Sequence, residues 1–457
     1  MTSVTATART AATPAPTVAE LLSHLGFAPS GPGPAWLTQA RHASVEWATA
    51  RGFPTLKDED WKYTRLGALL DVPFERVGAG AAHRVSPDTI DALSIDATST
   101  RLVFVNGRFA PALSLLTELP EGVTVTNLAS VLAEGGAGLE PFFSRPFGEY
   151  DHAFTALNIA LAEDGAFIQV AADTLVSAPI ELVFLSDAQG FPIMASPRSL
   201  IRAGPRSRVA VVETYAGITG DVTCTNAVTQ VVLDEGAQVE HYKIQDEPES
   251  AFHLALLDVR QGPDSRFSSG SVALGSKIAR NEVHVRLEGE GAKVSIDGLY
   301  LPRGDQHHDN PILIEHAAPR CTSRQLYKGI VDERGHGVFN GRIIVWPGAS
   351  GTDASQTNKN LLLSDHAEVD TRPRLEILTD DVKCTHGAAV GALDEEALFY
   401  LRSRGVPHEA ARALLTYAFA REMLDLIPSE SLRTHVETLV AGRLSTNGNG
   451  TGAYSGE

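Results

Sequence analysis

Two side chains near the C-terminal end bring metal-binding chemistry close together. They are Cys384 and His386, in Leu375-Glu376-Ile377-Leu378-Thr379-Asp380-Asp381-Val382-Lys383-Cys384-Thr385-His386-Gly387. The stretch reads as a strand followed by a turn. Strand alternation puts Val382, Cys384 and His386 on one face and Lys383 and Thr385 on the other. A thiol and an imidazole are soft or borderline ligands, but a tetrahedral site needs four. Either something else completes the site, or Cys384 is a packed thiol and His386 an ordinary turn residue.

The same geometric test thins the other candidates. His307-His308 invites a metal reading, yet strand neighbours diverge, and both could reach one ion only from a bent loop. A solvated loop is the plainer expectation. His316 and Cys321 flank Pro319-Arg320, where packing is favoured because free cysteines are usually buried. Gly270-Ser271-Val272-Ala273-Leu274-Gly275-Ser276-Lys277 echoes a phosphate loop, but Ser follows the second Gly and no strand-to-helix context surrounds it. The chain has no Gly-x-Ser-x-Gly elbow. The alternative activity is that of a stand-alone β-helix enzyme cleaving polysaccharide with its carboxylates. Its most tempting pair, Asp380 and Asp381, are adjacent and point apart, as turn or rim residues would.

The elements that must position these groups follow from pattern and composition. The chain has 457 residues, 43% apolar and 21% charged, enough to bury a large core. Its net charge of -18 disfavours a phosphate-tracking nucleic-acid binder. No apolar run is long enough for a membrane span, and no secretory signal opens the chain, so a cytoplasmic location is expected. Three scattered cysteines, Cys224, Cys321 and Cys384, suit free thiols in a reducing compartment.

Residues 1–16 read as a flexible leader. Thr17-Val18-Ala19-Glu20 has the form of a capping box, and a second helix follows with Trp36, Leu37, Ala40, Ala43 and Trp47, stopping at Gly52-Phe53-Pro54. The mostly helical N-terminal region runs over 17–160. It includes Glu59-Asp60-Trp61-Lys62-Tyr63-Thr64, whose aromatics are expected to pack, and a hairpin signal at Asn106-Gly107. From about 161 to 390, short β-branched runs follow similar turns headed by Gly165, Gly204, Gly236, Gly262, Gly291 and Gly335. Without intervening helices this predicts a mainly β chain with a β-solenoid core, most simply a β-helix, with a β-sandwich as the alternative. A C-terminal helical domain is expected over 391–442, with Asp394 as an N-cap and a helix from about Pro407 to Leu426 striped by Ala411, Leu414, Leu415, Ala418, Phe419 and Met423. A Gly/Asn-rich tail over 443–457 should be disordered.

Several segments add a resemblance to these readings. Cys321-Thr322-Ser323-Arg324-Gln325-Leu326-Tyr327-Lys328, Val338-Phe339-Asn340-Gly341-Arg342-Ile343, Thr352-Asp353-Ala354-Ser355-Gln356-Thr357-Asn358, Asp380-Asp381-Val382-Lys383-Cys384-Thr385-His386-Gly387-Ala388 and Leu398-Phe399-Tyr400-Leu401-Arg402-Ser403-Arg404-Gly405 resemble the SufD family. These proteins are scaffold subunits of the SUF iron-sulfur cluster assembly complex. Glu59-Asp60-Trp61-Lys62-Tyr63-Thr64 resembles the family's N-terminal signature. The resemblance implies a right-handed parallel β-helix flanked by helices, and a non-catalytic role. It implies pairing with a SufB-like subunit at the β-helix end and binding of a SufC-like ATPase at the C-terminal helices.

By residue match, the resemblance places His386 and Cys384 at the SufB interface, beside a transient iron-sulfur cluster, with His386 as ligand. Phe399, Tyr400, Arg402 and Arg404 match the ATPase-contact region, although Phe399 and Leu401 could instead pack the domain. SufB itself typically has a His-Glu pair near Thr385-His386 and an upstream cysteine. The corresponding Asn358-Lys359-Asn360-Leu361-Leu362-Leu363 has no cysteine, which favours SufD. A reduced flavin on the assembled complex and a homodimer of the isolated chain are further candidates under the resemblance.

Overall fold

The computed structural model describes residues 16–29, 33–78, 84–96 and 98–445. The expected leader, apart from Pro16, and the tail from residue 446 onward lie outside them.

From Ile180 the chain winds as a β-solenoid, each turn laying one strand on each of two facing sheets of ten strands. Successive turns stack in parallel register, so Val239 pairs with Val209 and Phe267, and Phe252 with Cys224 and Ile278. Parallel sheets usually have both faces covered, and here one face lines the lumen while helices cover part of the other. Tight turns repeat along the stack. Gly236 (φ 67°) and Asp264 (φ 52°) take the left-handed conformation, which costs glycine little and aspartate only modestly.

The lumen is built from files of stacked residues, one per turn. In one sheet Ile296, Gln325, Gln356 and His386 are successive ladder partners, as are Val294, Ser323, Ala354 and Cys384. A third file runs Gly298, Tyr327, Asn358, Ala388, and a fourth Tyr300, Gly329, Asn360, Val390. The mid-strand glycines make room for rings. A Cβ on Gly298 would lie 2.2 Å from the Tyr327 ring, and one on Gly329 2.5 Å from the Tyr300 ring. Tyr300 donates to Asn360 Oδ1 at 2.5 Å.

The N-terminal end of the solenoid is closed by antiparallel strands. Arg101–Val105 turns at Asn106-Gly107 (φ 52° and 76°) into Arg108–Phe109, confirming the hairpin, and Val123–Asn127 caps the other sheet. Helices cover the outer faces. Ala35–Arg51 packs on Ala153–Leu161, which is buried along its whole length. Val18–His24 has the capping box predicted at Thr17 and Glu20.

On the opposite sheet, His408–Leu424 and Glu430–Ser445 bury Ala420, Met423, Leu424, Leu432, Val436 and Val440 against Val212, Ile244, Val272 and Leu299. Two details of the C-terminal reading change. Leu414 (53% exposed) and Ala418 face away from the sheet, because the helix lies on the sheet through Ala420, Met423 and Leu424 rather than along the expected stripe. The helix Glu430–Ser445, which the pattern did not single out, extends three residues into the expected tail.

Gly329→Ala should lower stability by roughly 1–3 kcal/mol through overpacking against Tyr300 and Asn360. The check is the urea midpoint, and Gly387→Ala, with open space around its Cβ, is the control expected to change little.

Candidate functional site

The last turn of the solenoid carries the two candidate ligands. Strand Glu368–Ile377 ends at Leu378, whose N–H donates to Val345 O at 2.9 Å. The chain then bends through Asp380 and Asp381 (φ 56°) and re-enters as strand Lys383–Gly391, where Lys383 N–H donates to Thr352 O at 2.8 Å. The order is therefore strand, turn, strand. Cys384 and His386 sit on a strand of their own and not in a turn, because the left-handed bend falls at Asp381, before them, rather than after His386. Asp380 and Asp381 are turn residues, as expected.

Alternation holds: Cys384 stacks on Ala354 and His386 on Gln356, both inward-facing residues 1% exposed. His386 nevertheless is exposed, because among the described residues no further turn lies above it. Lys383–Gly391 and Glu368–Ile377 are the terminal strands of their sheets, each with a neighbour on one side. Ile377 (43%), Leu378 (53%) and Val390 (47%) are exposed around the same end. A long, unpaired edge is a template for adding a strand from another chain.

Cys384 is half-buried against the solenoid core. Burial, helped by the Asp353 carboxylate, pushes its thiol above the ordinary cysteine range, and a nearby cation would favour the thiolate. Beneath His386, Gln356 donates to Gln325 Oε1 at 2.9 Å, and its own buried Oε1 has no partner among the described residues.

The helix Glu395–Ser403 follows at once, capped by Asp394, whose carboxylate accepts from the Glu396 and Ala397 N–H groups. Leu398 is buried, but Phe399 is 72% and Tyr400 57% exposed. Arg402 and Arg404 are exposed as well, with the Arg404 guanidinium 5.2 Å from the Tyr400 ring centre. Phe399 therefore does not pack the domain, while Leu401 is half-buried.

The other candidates resolve differently. His307 and His308 open the strand His307–His316 and do not form a solvated loop. His308 points inward, fully buried, with Nε2 2.9 Å from Gly275 O, while His307 points outward. His316 Nε2 lies 2.9 Å from Ser323 Oγ, and Cys321 is buried, so both pack as expected. The segment Gly270–Lys277 ends a strand and enters a turn with no helix after it.

Trp61 is buried, with the Arg280 guanidinium 3.7 Å from its ring centre. Asp60 accepts from Arg374 (3.0 Å) and Asn340 (3.2 Å). The N-terminal motif thus fastens the helical region across four strands of one sheet. Beside His307 on the outer face lie His336, Glu368 and Asp370, which the sequence did not single out because they are far apart in the chain and become neighbours only through the ladder register.

Comparison with known proteins agrees with this architecture. Residues 184–419 match the SufBD core domain of the SUF system for FeS cluster assembly, and residues 33–182 match the SufBD protein N-terminal region. The chain is 34% identical to an iron-sulfur cluster assembly SufBD family protein of Synechocystis, over 91% of this chain and 92% of that one. It is also 34% identical to the iron-sulfur cluster assembly protein SufD of Escherichia coli, over 86% of this chain and 90% of the relative. Identity to SufD of Bacillus subtilis is 27%, over 89% and 94% of the two chains. With its solenoid, its uncapped last turn and these relatives, the chain belongs to the SufBD family of iron-sulfur cluster assembly proteins, as a homologue of SufD.

Proposed function

We propose that this chain is a non-catalytic scaffold subunit that pairs, through its last solenoid turn, with a SufB-like subunit. The observation that carries this reading is the open end itself: two unpaired strand edges, exposed Ile377, Leu378 and Val390, and His386 and Cys384 in lumen files with nothing above them. A second solenoid laid on these edges would pair the free backbone groups and bring further ligands over the files.

In this reading the nascent iron-sulfur cluster is cargo, held between the chains. His386 is a ligand through one ring nitrogen, and the orphaned Oε1 of Gln356 beneath it offers an acceptor for the N–H of the other, the usual way a metal-binding imidazole is oriented. Cys384 is the second donor, and a cation beside it would favour the thiolate that burial disfavours. The exposed Phe399, Tyr400, Arg402 and Arg404 form the contact for a SufC-like ATPase, with ATP hydrolysis on that partner. A rigid helix rooted beside the last strand is placed to pass the partner's motion to the interface. Three unpaired cysteines fit a reducing cytoplasm, and no helix among the described residues is long and apolar enough to cross a membrane.

His386→Ala should leave co-purification with the SufB-like and SufC-like partners intact and lower the iron and sulfide content of the anaerobically reconstituted complex. Unchanged iron and sulfide would remove the ligand role. Thiol labelling gives an independent check. In the native isolated chain Cys384 should react, faster as pH rises, while the fully buried Cys224 and Cys321 stay silent, and the partner should suppress the Cys384 reaction. Equal labelling with and without the partner would move the interface elsewhere.

A further inference from the structure

A chain of hydrogen bonds on the outer face of the solenoid, away from the lumen, ends at the His336 imidazole, which faces the Asp370 carboxylate of strand Glu368–Ile377. Thr64 Oγ1 lies 2.5 Å from Asp309 Oδ2 and 2.8 Å from His307 Nε2. The hydroxyl has one hydrogen, and a carboxylate can only accept, so Thr64 donates to Asp309 and accepts from His307 Nε2–H. With its N–H on Nε2, a neutral His307 has an acceptor at Nδ1. His336 Nδ1 lies 3.1 Å from that nitrogen and must donate to it.

Having spent its N–H on His307, a neutral His336 presents a lone pair at Nε2, which sits 2.9 Å from Asp370 Oδ2. Two lone pairs cannot bond, so something positive has to stand between them: a second ring proton or a metal ion. Glu368 completes the surroundings, and one ligand atom from each of His336, Glu368 and Asp370 lies within 4.8 Å of the other two. His336 is directly opposite Glu368 in the ladder, and Asp370 is one alternation further on the same outward face. The exposures of the His336 (22%) and Asp370 (28%) side chains leave solvent access for an ion.

We propose that His336 Nε2, Asp370 and Glu368 form a binding site for a borderline divalent transition-metal ion, of the zinc or ferrous class, with His307 and Thr64 as the residues that fix the tautomer of His336. One imidazole and two carboxylates form a donor set such ions accept, leaving coordination positions open to water. A backing hydrogen bond to the second ring nitrogen is the arrangement that metal-binding histidines normally have. Small side-chain rotations bring the donors to the ~2.0–2.2 Å such ions require. This site does not depend on the scaffold reading, and its position on the outer face separates it from Cys384 and His386.

The test is an anaerobic titration of the full chain with Co(II) alone, read by its visible ligand-field bands, with Zn(II) competition and the thermal midpoint as second readouts. A Cys384→Ser/His386→Ala background removes the other candidate ligands. That variant should bind one Co(II) per chain, released by Zn(II), and Zn(II) should raise its midpoint. Asp370→Asn and His336→Gln should each weaken binding at least ~10-fold, and Thr64→Val should weaken it less, by loosening the tautomer. Absence of Co(II) bands and of any Zn(II) effect on the midpoint of the unmutated chain would overturn the proposal and leave His336 as an imidazolium paired with Asp370. Undiminished affinity in both Asp370→Asn and His336→Gln would overturn it equally.

Discussion

A parallel strand satisfies its backbone only when it has a neighbour on each side, and Cys384 and His386 sit at the end of the solenoid where that condition fails. Inside the solenoid each turn is paired above and below. At the N-terminal end the deficit is met by short antiparallel strands, Arg108–Phe109 and Val123–Asn127. At the other end Lys383–Gly391 and Glu368–Ile377 stop with one side open, and the chain passes straight into the helix Glu395–Ser403 without folding back over them. An edge this long either pairs with another chain or invites aggregation, and the proposed function rests on the first outcome.

The interior behind that edge is unusual for a core. Strand Gln238–Asp246 turns Val239, His241, Lys243 and Gln245 inward and Tyr242 and Ile244 outward beneath the C-terminal helices. Lys243 donates to Asn281 at 2.6 Å, and burial lowers it to about 8 even with Glu213 and Glu247 opposing that shift. Glu247 faces His253 at 2.7 Å, and Glu213 accepts from Thr229 and Tyr215. Such groups are costly to bury unless paired, and removing one partner of a buried pair typically costs about 3–5 kcal/mol. The outer face of the other sheet is likewise polar at its seam, where Arg280 lies between Trp61, Glu282 and Asp309. A cation-π contact in such a dry setting contributes roughly 2 kcal/mol and ties the N-terminal motif to the solenoid.

These two seams explain what could and could not be read from the sequence. Local chemistry was legible: the Thr17-Glu20 capping box, the Asn106-Gly107 hairpin, the Asp394 cap and the recurrent turn glycines each act within a few residues. The solenoid followed from them. The facing of strands was harder, since the helices bury outward residues such as Tyr242 and Ile244 while the lumen holds His241 and Lys243, so apolar alternation does not mark the inside. His307-His308 looked like a solvated loop for the same reason. The outer-face cluster was out of reach altogether, because His336 and Asp370 are 34 residues apart and meet only through the register of adjacent turns. Cys384 and His386 were legible as a pair, but their orientation into an open lumen required the turn at Asp381 to be placed correctly.

The proposed function rests on completion of the last turn by another chain, and amide hydrogen exchange of the isolated chain and of its complex with a SufB-like subunit reads it out strand by strand. The free edges of Glu368–Ile377 and Lys383–Gly391 should exchange fast in the isolated chain, and both strands should be strongly protected in the complex. Protection confined to other surfaces, with these two strands exchanging as before, would contradict that completion.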